Sequence, residues 1–195
     1  MDESVPFTGE PPALDLVNTR PMSPRGRVDL IDTPDRLAAW LVLESGRLPA
    51  EVTALVPQAP DLPPVHAVRE HAEAALRALW AGQAPPGTAL RGLERAERAA
   101  PPVRDLGWDG ERVTVTARRT GPVGRRLAAA LAHEAVALLT DPAVGRLREC
   151  EADTCRMLFL PAHPRRRWCS PTLCGNRARA ARHYRRHKAA DGTVD

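Results

Sequence analysis

The sequence predicts a protein that is mainly α with one small β-hairpin: a helical N-terminal domain, then a short cysteine-bearing module ending in a basic helix. Three observations carry this. Apolar residues recur at helical spacing in several stretches of the first 145 residues. One stretch, "RVTVTARRT", alternates instead. All four cysteines fall within residues 150–174, and an arginine-rich run follows them.

Pro-rich punctuation cuts the first 145 residues into short pieces. "GEPPALDLVNTRP" holds Leu14, Leu16 and Val17 ahead of turn-prone Asn18 and Thr19. In "DTPDRLAAWLVLES", Thr33 reads as a helix N-cap, Pro34 as the first helical residue and Asp35 as a first-turn acid. Leu37, Trp40 and Leu41 then fall at helical spacing. "PPVHAVREHAEAALRALWAG" places Val65, Val68, Ala72, Leu76, Leu79 and Trp80 on one stripe that stops near Gly82. "GTALRGLERAERAA" reads as a shorter helix. Val113 and Val115 alternate with Thr114 and Thr116 behind the turn dipeptide Asp109-Gly110, which signals the hairpin. "GPVGRRLAAALAHEAVALLTD" is a helix with Leu127, Leu131, Ala135 and Leu138 facing a core. Pro142 opens a last short helix before Cys150.

This divides the chain into a helical domain over residues 1–145, a cysteine module over 146–190 and a tail over 191–195. No apolar run approaches the roughly eighteen residues a membrane span needs. The start, "MDESVPFTGEPP", is acidic and Pro-rich and lacks the pattern of a secretory signal. The expectation is a cytoplasmic protein without a membrane partner. His66, His71 and His133 read as ordinary structural or surface histidines, since no carboxylate motif joins them and Glu134 lacks the second His of a zincin. There is no glycine-rich phosphate loop and no nucleophile elbow. No catalytic residue is expected, and the chain is not expected to be an enzyme.

Charge is uneven along the chain. Residues 156–190 hold ten basic residues and no acid, whereas the first 155 hold 18 basic and 22 acidic residues. A mildly acidic body thus carries a strongly basic end, which points to an anionic partner. Lys188 is the one lysine among 28 basic residues, so arginine as a residue type reflects coding bias. Position and clustering must carry any argument.

Cys150, Cys155, Cys169 and Cys174 form the pattern C-x4-C-x13-C-x4-C. Two close pairs joined by a longer loop suit a four-thiolate zinc site, in which each pair sits on a turn that aims both sulfurs at one ion. The site would be closed and structural, with one zinc per chain. His163 is an alternative ligand, although four thiolates complete the shell. A disulfide suits a reducing compartment poorly. A thiol redox centre usually uses C-x-x-C. Both stand as alternatives. Met157, Leu158 and Phe159 could cover the site, with Trp168 as a cap.

The module resembles the CGNR zinc finger, which ends bacterial proteins regarded as stress-induced transcription regulators. The resemblance rests on the two leading cysteines, Phe159, the basic loop Arg165 to Arg167, then Trp168-Cys169-Ser170 and Cys174-Gly175-Asn176-Arg177. Phe7, Gly9, Leu14, Asp15, Asn18 and Thr19 resemble the signature of the family's partner domain, ABATE. The loop "FLPAHPRRR" lacks the Asp and Ser common in the family, and Pro171 stands where a Met is usual. The resemblance implies a regulator of transcription under stress.

Asn176 is placed to cap or begin a helix running to about Lys188. Arg179, Arg182 and Arg186 share one face of it, and Arg185 adjoins them. Ala180, Ala181 and Tyr184 lie on the other side, free to pack on the finger or body. With Arg165, Arg166, Arg167 and Arg177 these arginines are the candidate nucleic-acid contacts, and DNA is the leading partner. A protein-interaction module and a thiol redox sensor are the alternatives. The body would serve sensing or dimerisation, which leaves a homodimer and an unknown small-molecule effector as further partners. Asp15 and Asn18 are candidate ligand-pocket groups, or else Asn18 caps a turn and Asp15 makes a surface hydrogen bond.

Overall fold

The computed structural model describes residues 6–23 and 26–191, with backbone alone for Ser23 and residues 185–191. In chain order the elements begin with α1 (Pro12–Val17), the two-residue strands β1 (Met22–Ser23) and β2 (Gly26–Arg27), α2 (Pro34–Leu43) and α3 (Ala50–Thr53). A 3-10 turn (Ala59–Asp61) leads into α4 (Leu62–Trp80), followed by α5 (Gly87–Arg98). The hairpin strands β3 (Val103–Trp108) and β4 (Val113–Arg118) precede α6 (Val123–Thr140) and a second 3-10 turn (Pro142–Arg146). The C-terminal module holds β5 (Arg148–Glu149), β6 (Leu158–Phe159) and α7 (Cys174–Asp191).

The chain is mainly helical, as its apolar periodicity implies. Helices α4, α5 and α6 pack on one another, and α1 lies against both α4 and α6. Six residues are too few for a helix to persist in water. Burial holds α1 instead: only Pro12 of its residues is not buried. Leu14, Leu16, Leu37, Trp40, Leu76, Leu127 and Leu131 are sealed from solvent in one core, which also takes in Leu158 of β6. Thr33 caps α2 as expected, its hydroxyl accepting from Arg36 N at 3.3 Å. The start of α6 meets the first 3-10 turn so closely that a Cβ on Gly124 would sit 2.8 Å from Asp61 Cα. Gly124 N donates to Asp61 Oδ1 at 2.7 Å there.

Three antiparallel two-stranded ladders are present among the described residues. The expected hairpin is β3–β4, running from Val103 opposite Arg118 to Trp108 opposite Val113. The ladders β1–β2 and β5–β6 are additions to that expectation. Each strand in them has two residues, too few to show a period of two. No helix of the described residues is long and apolar enough to cross a membrane.

Candidate metal centre

Two turns carry the four cysteines. In the first, which joins β5 to β6, Cys150 N donates to Met157 O (2.9 Å) and Cys155 N to Ala152 O (2.8 Å). In the second, Gly175 N donates to Ser170 O (3.0 Å) and Leu173 N to Ser170 Oγ (3.2 Å), which winds the chain into α7 at Cys174. The turns bring all four sulfurs within 4.8 Å of one another. Cys155 Sγ lies 3.7 Å from Cys169 Sγ, and Cys169 Sγ lies 3.6 Å from Cys174 Sγ. A zinc ion at about 2.3 Å from each of four tetrahedral sulfurs sets them about 3.8 Å apart. The cage therefore has the size of that ion's shell. All four cysteines are free, and all but the half-buried Cys155 are buried. His163 stands outside the cage, exposed, its Nδ1 accepting from Arg165 N at 3.1 Å.

The four thiols do not titrate alike. Hydrogen bonding with Cys155 pulls the Cys150 thiol below the usual range and Cys174 is lowered too, whereas hydrogen bonding to Cys150, together with burial, pushes Cys155 and Cys169 far above it. Four thiolates cannot ionise together here unless a metal neutralises them. Phe159 is fully buried beside the sulfurs, and Met157 and Trp168 pack around them as expected.

The ABATE family model, described as "Putative stress-induced transcription regulator", matches residues 10–142, more than half of the chain. The CGNR zinc finger model matches residues 146–187. The chain belongs to the ABATE family. No curated protein matches it. The four thiols are thus the ligands of one structural zinc, in a CGNR finger that follows an ABATE body.

Asn18 of the ABATE signature and Glu10, beside signature residue Gly9, grip the finger. Asn18 Nδ2 donates to Leu158 O (2.8 Å), and Leu158 N donates to Asn18 Oδ1 (3.0 Å). The side-chain amide thus acts as a third strand partner for the finger's β6. Glu10 Oε2 accepts from Leu160 N (2.9 Å), and its Oε1 accepts from Arg166 (2.6 Å). Asp15 holds Glu10 in place by accepting from Gly9 N (2.8 Å) and Glu10 N (3.2 Å). Gly9 adopts φ 127°, a conformation that favours glycine. On the far side of the finger's hairpin, Arg77 reaches Glu149 (3.0 Å) and Arg156 O (2.9 Å).

Asp15 and Asn18 therefore do not line a ligand pocket, which removes one of the two readings their sequence left open. Both are buried, and their polar atoms bind the chain itself. A cavity of about 280 Å³ lies elsewhere, beside His71, Gly92, Arg95 and Arg125. His66 and His133 are structural or peripheral: His66 Nε2 meets Ile31 O at 2.9 Å, and His133 pairs with Glu97 at 2.8 Å.

Behind Asp15 sits a group the sequence did not flag. Glu44 is fully buried, as is Asp15, and Arg47 lies between them. Arg47 donates to Asp15 Oδ2 at 2.7 Å. It lies 2.9 Å from Glu44 Oε2, but at an angle that leaves both Glu44 oxygens without a hydrogen bond. Burial, and then the charge of Asp15, pushes the Glu44 carboxyl up from 4.5 to about 7. Burial raises Asp15 as well, outweighing its bonds to Arg47 and Gly9.

The candidate arginines separate into two groups. Arg166 is a brace. Besides Glu10 it donates to Trp168 O (3.1 Å), Leu160 O (3.3 Å) and Cys169 O, and its guanidinium lies 4.6 Å from the Phe159 ring centroid. It is corrected from nucleic-acid contact to structural residue, because its donors face inward. Arg165, Arg167, Arg177, Arg179 and Arg182 are exposed. Arg165 makes no side-chain hydrogen bond or ion pair among the described residues. Arg167 pairs with Glu151 (2.6 Å) at the surface. Arg167 and Arg182 both lie over the Trp168 ring, at 5.6 and 5.9 Å. The side chains of Arg185 and Arg186 lie outside the described residues.

Helix α7 begins at Cys174, so Asn176 is in its first turn rather than at its cap. The helix turns Cys174, Gly175, Ala178 and Ala181 towards the finger, the face set by the ligand itself. Ala180 is exposed and Tyr184 is 68% exposed, which corrects the expectation that they pack.

Asn18→Asp keeps the size and one acceptor but removes the donor to Leu158 O. It is expected to cost about 2 kcal/mol in urea unfolding of the zinc-loaded chain; an unchanged midpoint would remove the dock's energetic role. Glu44, raised from 4.5 to about 7, favours the fold while protonated, so its contribution is full below about pH 4.5 and is lost as pH rises through 7. Glu44→Gln should match the wild type near pH 4 and exceed it near pH 8, by up to about 3 kcal/mol. Equal differences at the two pH values would contradict the assignment.

Proposed function

We propose that the chain is a zinc-dependent transcription regulator whose finger binds DNA through α7 and the loop before Trp168. The observation that carries this is how charge is used. Among the exposed candidates, Arg165, Arg177, Arg179 and Arg182 have no acidic partner among the described residues. Many body arginines, by contrast, face acids, as in Arg69 with Asp29, Arg119 with Glu51 and Arg77 with Glu73. Residues 156–190 contain no acid at all. Cations without an acidic partner among the described residues, on a helix anchored at one end by a metal ligand, suit a row of phosphates.

Zinc has a structural role in this reading. Four thiolates leave no open position for substrate or water, so the reading includes no catalytic step. The stress-response role follows the family's description and sets when such a regulator would act.

Fluorescence anisotropy with a labelled random-sequence duplex tests the proposal. Log affinity should fall with log salt with a slope steeper than about −3, by roughly 0.9 per phosphate contacted. Arg179→Ala and Arg182→Ala should each flatten the slope by about 1 without unfolding the chain. Absent binding at low salt, or a slope near zero, would refute DNA binding and favour a protein partner for the same helix.

A further inference from the structure

The β3–β4 hairpin stands outside the core. Two paired strands are marginal in water unless something covers their apolar side. These strands pack chiefly on each other, and every residue of β3 is exposed. The hairpin is tied down at its base, where Arg119 N and Nη1 donate to Glu51 at 2.7 and 2.9 Å. Its tip is closed by Asp109 Oδ1, which accepts from Glu111 N (2.9 Å) and Arg112 N (3.0 Å).

The register sorts its side chains onto two faces. One face carries Arg104, Leu106 and Trp108 opposite Ala117, Val115 and Val113. The other carries Asp105 opposite Thr116 and Gly107 opposite Thr114, with Val103 and Arg118 at the base. The first face leaves Leu106 77%, Trp108 65%, Val113 67% and Val115 60% exposed. Contiguous apolar surface of this kind marks an interaction site. Residues 103–118 hold three basic and three acidic side chains, so the arm is neutral and has nothing to attract phosphate.

We propose that this face pairs with the same face of a second copy of the chain, forming a two-fold dimer of crossed arms. The face is self-complementary. The face is graded in three rows: Trp108 and Val113 at the tip, Leu106 and Val115 in the middle, Arg104 and Ala117 at the base. A two-fold axis across the strands, through the middle row, lays tip on base. Trp108 then meets the partner's Arg104, and Val113 meets the partner's Ala117. Large meets small, and a guanidinium meets an indole face. Arg104 makes no hydrogen bond or ion pair among the described residues, so it is available for that contact. Leu106 and Val115 pack on their own counterparts. This axis sets the two bodies at opposite ends of the crossed arms. An axis along the strands would stack the two bulky tips and bring the bodies together.

Four large side chains from each copy would bury about 1,000 Å² in total, the low end of specific interfaces. An interface this small belongs with weak, reversible associations, so monomer and dimer are expected to exchange at concentrations on the order of micromolar or above. Dimerisation through the arm does not depend on whether the finger binds DNA.

Sedimentation velocity of the full zinc-loaded chain, from about 1 to about 200 µM, reads the result. The wild type should pass from monomer to dimer across this range. Leu106→Asp and Val115→Asp should stay monomeric throughout, with zinc content unchanged because the arm lies outside the core. Thr116→Asp, on the opposite face, should dimerise like the wild type. Arg104→Glu should weaken the dimer by on the order of tenfold, since it puts an acid against the Trp108 ring face. A wild type that is monomeric throughout would overturn the proposal and leave the arm to a different protein. So would a dimer that both Asp variants retain.

Discussion

Four thiolates cannot share a space under 5 Å across without a cation, and the finger's structure depends on that constraint. Its strands β5 and β6 have two residues each and could not persist alone. Its local core is small: Phe159, Ala152 and the cysteines themselves, with Met157 and Trp168 at the side. Zinc supplies what this core lacks, a binding term of roughly 10–16 kcal/mol in finger peptides. The same ion fixes where α7 starts, because Cys174 is both a ligand and the first residue of the helix. The face that α7 turns to solvent is therefore set by metal geometry, and its arginines follow.

The finger in turn offers its backbone to the body. Leu158 pairs with Asn18 across 140 residues of sequence, and Leu160 with Glu10 across 150. Both contacts need β6 to be held by a formed finger. Asn18 of the N-terminal signature thus serves the C-terminal module directly, and Asp15 does so through Glu10. Asp15 positions Glu10, and Arg47 tethers Asp15. Glu44 is the costly member, a buried carboxyl without a hydrogen bond. Arg166 completes the dock from the finger's side, joining Glu10 to the carbonyl of a zinc ligand. A basic loop that reads as three equivalent arginines is therefore one brace flanked by two surface cations.

Much of this was legible in the residues. Long helices such as α4 and α6 announce themselves by apolar stripes, and the hairpin by the alternation of Val and Thr. The zinc ligands were readable because spacing carries the chemistry: two tight pairs and one loop. Other features leave no local trace. Strands of two residues have no period to detect. Asn18 looks like a turn residue, since its partner is remote in sequence. Arg166 cannot be told from Arg165 or Arg167 by type, and only the direction of its donors separates them. Tyr184 looked like packing material, but the face of α7 was already chosen by Cys174. The β3–β4 alternation revealed a strand pair but not that its apolar side would face solvent.

Zinc builds the surface by which the finger docks on the body. Amide hydrogen exchange, comparing the zinc-loaded chain with the same chain after chelation, tests it most directly. Chelation should greatly speed exchange at the amides of Leu158 and Leu160, while α4 and α6 keep their protection. Leu158 and Leu160 amides that stay as protected without zinc as with it would contradict the claim.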